Sequence, residues 1–142
     1  MRQLSKRVRR FLAWPARDRR AGIVSFGLLT VARLGVWFGG IPGTRQSLLR
    51  LAPRTDVDPA RLAQIMASVS GVLPGPTSCL PRALVLEALL VASGRAAELR
   101  IGLAPRCGEP KPAAHAWVDL EGVPVAEDVS QYTPVPVFGT RG

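Results

Sequence analysis

In this 142-residue chain the side chains able to act together chemically are Cys79, His115 and the carboxylates that follow the histidine. Cys79 stands between a Pro/Gly-rich stretch, LPGPTS, and an apolar run with helical spacing, LPRALVLEALLVASG. Unpaired backbone N–H groups and the positive end of the macrodipole favour an anion at a helix start, so a cysteine placed there is inclined toward its thiolate, the nucleophilic form. His115 is the one histidine of the chain and lies in AHAWVDLEGVPVAED, which alternates as a strand does. A thiol opening a helix, an imidazole on a strand and an acid to orient it are the parts of thiol-nucleophile catalysis.

Strand geometry ranks the acids. Asp119 shares the histidine's strand, and four residues at strand rise put it about 13 Å away, so it is disfavoured. Across the Gly122 turn, a loop of Leu120 to Gly122 with a bulge at Gly122 would bring Glu127 opposite His115, whereas a two-residue loop at Glu121 and Gly122 would bring Asp128 there. Gly122 favours the bulge, which makes Glu127 the expected partner and Asp128 the alternative. The second cysteine, Cys107, lies in a Pro/Gly-rich loop away from any helix start and reads as a bystander.

The elements that must position these groups are legible from spacing. Met1 to Trp14 is a basic amphipathic helix, with Leu4, Val8, Phe11 and Leu12 on one side, closed by Pro15. Ala21 to Ile41 is nearly long and apolar enough to span a bilayer, but Arg33 in its middle costs about 2.5–3.5 kcal/mol on insertion scales, and five glycines weaken it further. It is expected as a buried helix of a soluble fold. TRQSLLRLAP reads as a short helix. Asp58 is expected to cap a helix with Pro59 at its first position and Leu62, Ile65, Met66 and Val69 on its core face. After the Cys79 helix, which Gly94 ends, strands are expected at Ala97–Leu103, Ala113–Leu120 and Val123–Asp128, with a loosely held or edge-packed tail. Helices followed by antiparallel strands imply the α+β class.

Composition sets further bounds. The 47% apolar content supports a packed core. The net charge of +9 is uneven: residues 1–54 hold 12 Lys/Arg and one Asp, and residues 55–142 hold 7 Lys/Arg and 9 Asp/Glu. This divides the chain into a basic helical segment, 1–57, and a second unit, 58–142. The basic front suits an acidic protein surface or an anionic membrane. Its few aromatics form no base-stacking pattern, which argues against nucleic acid. Two cysteines and one histidine without CxxC or HxxxH spacing make no zinc site, and with no secretory cleavage pattern a reducing, cytoplasmic compartment is expected.

SCLPRALVLEALLVASGRAAELRIGL followed by AHAWVDLEGVPVAED resembles the transglutaminase-like, papain-like leader peptidases of lasso-peptide biosynthesis, in which a Cys-Leu-x-Arg helix start precedes a His-Ala-Trp strand. The front stretches Trp-Pro-Ala-Arg-Asp-Arg-Arg and Ala-Arg-Leu are similar to that family's helical N-terminus. The resemblance implies a transglutaminase-like domain with the cysteine helix packed on an antiparallel sheet. It implies Cys79 as nucleophile, His115 as general base and later acid, and Glu127 as the orienting group, where the family usually has aspartate. It further implies cleavage of the leader from a lasso precursor without cofactor or metal, a separate leader-recognition protein, and a cyclase that uses the product. A non-catalytic or membrane-associated scaffold and a transglutaminase-type acyl transferase are the alternatives; membrane contact is not favoured.

Overall fold

The computed structural model describes residues 2–73, 79–105, 108 and 112–136. Its helices stop where the sequence supplies stops. The first, α1 (Arg2–Leu12), ends before Pro15 and buries none of its residues. Next comes α2 (Ala16–Gly39), which begins directly after Pro15. Gly40 adopts φ +78°, a left-handed conformation that costs glycine little, and turns the chain into α3 (Ile41–Leu51), whose first turn tolerates Pro42 because the missing N–H has no intrahelical partner there. The helix α4 (Pro59–Ser70) is capped as expected, with the Ala60 N–H donating to Asp58 Oδ2 at 3.2 Å.

The helix α5 (Cys79–Ala92) is buried on every side from Ala83 to Leu90. A helix that is apolar all round belongs inside, and α5 packs on α2, α3, α4 and the sheet. One core joins Leu29 and Ala32 of α2, Leu48 of α3, Ile65 and Met66 of α4, Leu84 and Leu89 of α5, and Leu99 and Val118 of the sheet. The class is α+β.

The sheet contains β1 (Ala97–Ala104), β2 (Ala113–Leu120), β3 (Val123–Pro124) and β4 (Thr133–Val135) in the antiparallel order β3-β2-β1-β4. Its register sets Leu99 against Val118 on the core face and Gly102 against His115 on the other. One expectation needs correcting and one is made specific. The third strand covers only Val123–Pro124, because Ala126 takes φ +55° and ends the ladder. Part of the tail is a true edge strand, β4 pairing with β1.

Glu87 ties the layers together. Nearly fully buried, it accepts two bonds from Arg45, at 2.9 and 2.5 Å, and the Leu99 N–H at 3.1 Å, which joins α3, α5 and β1. The guanidinium of Arg45 is held above its ordinary range first by that hydrogen bond. The α2 run is buried along Ala21, Ser25, Leu28, Leu29 and Ala32, while Ile23, Phe26, Val31, Leu34, Trp37 and Phe38 remain exposed. By length and composition alone the helix could also cross a membrane.

Candidate active site

Helical and strand periodicity bring the chemically capable side chains to one place. Cys79, Ala83 and Leu86 fall on one face of α5, that face lines a cleft of about 210 Å³, and His115, Ala116 and Glu127 line it from the other side. The Ala116 N–H donates to Cys79 Sγ at 3.4 Å, which fixes the sulfur beside the residue that follows His115. Cys79 is half-buried and carries a free thiol.

The imidazole is held by a carboxylate and by two aromatic rings. His115 Nε2 lies 2.8 Å from Glu127 Oε1. A carboxylate only accepts, so in that pair Nε2 carries the hydrogen and Nδ1 is left to exchange a proton with another group. Tyr132 stacks on the imidazole at a centroid distance of 5.0 Å and Trp117 at 6.1 Å. Trp117 is itself fixed, with Nε1 donating to Asp119 Oδ1 at 2.9 Å while Arg100 Nε donates to Asp119 Oδ2 at 3.2 Å. Gly102 makes room for this arrangement, since a Cβ there would stand 2.7 Å from the Trp117 ring and 2.9 Å from Tyr132 Cβ.

The acids divide as their neighbours dictate. Asp119 is committed to Trp117 and Arg100. Asp128 is exposed, and the Ser130 N–H donates to its Oδ1 at 3.1 Å, which holds that carboxyl below the usual carboxylate range. Glu127 is the carboxylate against the imidazole.

The route by which Glu127 arrives differs from the expectation. The hairpin has a two-residue loop, Glu121 and Gly122, both with positive φ, and its register pairs Leu120 with Val123 and Asp119 with Pro124. Continued unchanged, that register would have set Asp128 opposite His115. The Val125 N–H still bonds the Val118 carbonyl at 2.9 Å, but at Ala126 the chain takes a positive φ and leaves the ladder. Glu127 therefore reaches the imidazole from beyond the paired strand, and the expected bulge at Gly122 is absent.

Sequence reasoning overlooked Tyr132 and gave no role to Arg82, although Arg82 closes the Cys-Leu-x-Arg helix start. The first sits in what was read as tail, and its signal was being the one tyrosine of the chain. The second is three residues past Cys79 and therefore on the same helix face. Cys107 and the LPGPTS loop, residues 74–78 for the most part, fall outside the described residues. Among the described residues no group of three or more His, Cys, Asp or Glu gathers to hold a metal ion.

Comparison with curated proteins and with solved structures finds no match. A family model described as the transglutaminase-like superfamily matches residues 22–137, which takes in most of α2 and every element from α3 to β4. With four-fifths of its length inside that match, and with the cysteine helix packed on an antiparallel sheet, the chain belongs to the transglutaminase-like superfamily.

Proposed function

We propose that the protein is a cysteine peptidase that removes the leader from a lasso-peptide precursor in the cytoplasm, with Cys79, His115 and Glu127 as its catalytic residues. The observation that carries this reading is the imidazole held through Nε2 by Glu127 in the same cleft as a half-buried free thiol at the first residue of a helix. The resemblance of the cysteine and histidine segments to lasso leader peptidases supplies the substrate class.

The chemistry balances with these groups alone. His115 Nδ1 takes the thiol proton and the sulfur attacks the carbonyl of the last leader residue, forming a C–S bond and an oxyanion that the Cys79 N–H at the helix start is oriented to receive. The Cys79 N–H has this role in the proposal as one of the donors that a helix start leaves without an intrahelical partner. Collapse breaks the C–N bond, and the imidazolium gives its proton to the leaving amine. Water then attacks the thioester as His115 takes one of its protons, collapse breaks the C–S bond, the imidazolium returns its proton to the sulfur, and the leader leaves as a carboxylate, the other proton passing to solvent. The freed amino terminus is the group a separate ATP-dependent cyclase would acylate. Transfer of the same acyl-enzyme to an amine instead of water would be transglutaminase chemistry on the same residues.

A separate leader-recognition protein is part of this proposal. Its support is an apolar groove lined by Leu4, Val8, Phe11, Ile23 and Phe26 and edged by Arg7 and Arg10, which suits an acidic, partly apolar surface. Incubation of the protein with a candidate precursor and its recognition protein, followed by mass spectrometry, tests the reading. Free leader and a core shortened at its N-terminus are expected, and both vanish with Cys79→Ala or His115→Ala while Cys107→Ser remains active. An uncut precursor in the complete mixture, or a folded Cys79→Ala that still cuts, defeats it.

A further inference from the structure

The cleft holds one group that the chemistry above does not use. Arg82 lies one turn beyond Cys79 on the face of α5 that lines the cleft, and it is the only lysine or arginine among the described lining residues. Residues three apart on a helix have Cβ atoms about 5–6 Å apart, so the two side chains leave α5 side by side and line the same cleft. Of the other partly buried arginines, Arg45 closes on Glu87, Arg61 on Asp18 and Arg100 on Asp119, while Arg19 and Arg33, outside the cleft, lie in no ion pair among the described residues. Arg82 closes on none of the described residues. Its Nε is buried and has no hydrogen-bond partner among the described residues.

That combination asks for a ligand. A buried N–H without an acceptor is unfavourable in the free protein, and a guanidinium presents its donors in a planar fork that matches the two oxygens of a carboxylate. The single carboxylate in the described lining, Glu127, is already engaged by His115. The rest of the lining is mainly alanine, leucine, methionine and valine, which lowers the local dielectric and strengthens whatever ion pair forms there. With a single cation present, a monoanion is matched better than a phosphate dianion.

We propose that Arg82 is the carboxylate-binding group of the cleft, which selects a peptide bearing an acidic side chain within about two residues of the bond attacked by Cys79, the separation set by strand rise and the length of the arginine. This rests on the reading of the cleft as a peptidase site. Its test, however, is made without any peptide.

The experiment alkylates full-length protein in a Cys107→Ser background, where Cys79 is the remaining thiol, with iodoacetate and with iodoacetamide. The thiolate displaces iodide from either reagent, so the two differ only in carboxylate against amide, and intact mass reports the rates. With Arg82 present, iodoacetate is expected to react saturably, and Arg82→Gln should lower the iodoacetate-to-iodoacetamide rate ratio by about tenfold while the iodoacetamide rate stays within about twofold. Arg82→Lys should retain part of the selectivity. Because His115 is unchanged throughout, its attraction for anions cancels in the comparison. An unchanged ratio, or equal loss of both rates, overturns the proposal. Should Arg82→Gln fail to fold, protection supplies the answer: acetate, and not acetamide, should slow the reaction of the Arg82 protein with iodoacetamide, and absence of protection by acetate overturns the assignment. Selectivity for iodoacetate in a protein that cuts no precursor would leave the carboxylate site standing and remove the peptidase reading. Cutting without selectivity would do the reverse.

Discussion

An imidazole can serve as base only in the correct tautomer and orientation, and here both depend on one carboxylate. Glu127→Gln keeps the shape of the side chain but exchanges an acceptor for an amide, so single-turnover cleavage at saturating precursor should fall by about three to four orders of magnitude, the scale seen when the orienting acid of such a triad is neutralised. Asp128→Asn should leave cleavage close to the unsubstituted rate. Its effect belongs to stability. Ser130 lowers the pKa of Asp128 in the folded state, and a lowered group contributes stability above its unfolded pKa that is lost as pH falls through the folded one. Chemical denaturation at about pH 6 and about pH 3 should therefore show a smaller loss of stability toward acid in Asp128→Asn. Should Asp128→Asn be the slow variant and Glu127→Gln the normal one, the imidazole turns to the other carboxylate in the working enzyme.

At the scale of elements, the site depends on α5 and β2 meeting at a fixed height, and two contacts away from the thiol set that height. Glu87 joins α5 to α3 through Arg45 and to β1 through the Leu99 N–H. Its replacement by alanine leaves a partly buried guanidinium and a buried N–H without partners, which should destabilise the fold by about 3 kcal/mol in urea titration. Per folded molecule, turnover should change far less than stability. Gly102→Ala should behave in the opposite way. The added methyl forces back the Trp117 ring and Tyr132, the two groups that bracket His115. Overpacking of this kind costs about 1–3 kcal/mol, and the displaced imidazole should lower turnover at temperatures where the protein is still fully folded.

At the scale of the molecule, the exposed side of α2 and the basic α1 form a surface set apart from the cleft. Ile23, Leu34, Trp37 and Phe38 are 64%, 56%, 83% and 80% exposed, a stripe that asks for a cover. The opposite face of α2, through Leu29 and Ala32, is part of the core shared with α5, so insertion of this helix into a bilayer would withdraw it from the domain. Untagged protein should therefore leave membranes on treatment with high salt or carbonate. A pellet that resists both would show that α2 spans and that the core re-forms without it.

Local chemistry was readable wherever neighbours in the chain decide the outcome. Asp58 with Pro59 announces α4, the unbroken apolar run after Cys79 announces a buried helix, and alternation around His115 announces β2. These are contacts within a few residues, so composition and period suffice. The approach of Glu127 to the imidazole was of another kind. It depends on where the chain leaves the hairpin ladder: Gly122, the residue best suited to a positive φ, takes a two-residue turn with Glu121, and the ladder is left at Ala126. Nothing local in Ala126 signals that choice. Likewise no pattern marks Tyr132, and the Cys-Leu-x-Arg pattern names Arg82 without placing it, because one reaches the site through pairing of β4 with β1 and the other through packing of α5 beside α4. The sequence alone determined which residues could act and which elements would carry them; the tertiary structure decided which carboxylate meets the histidine and which cation faces the cleft, since both follow from contacts between segments that no local period encodes.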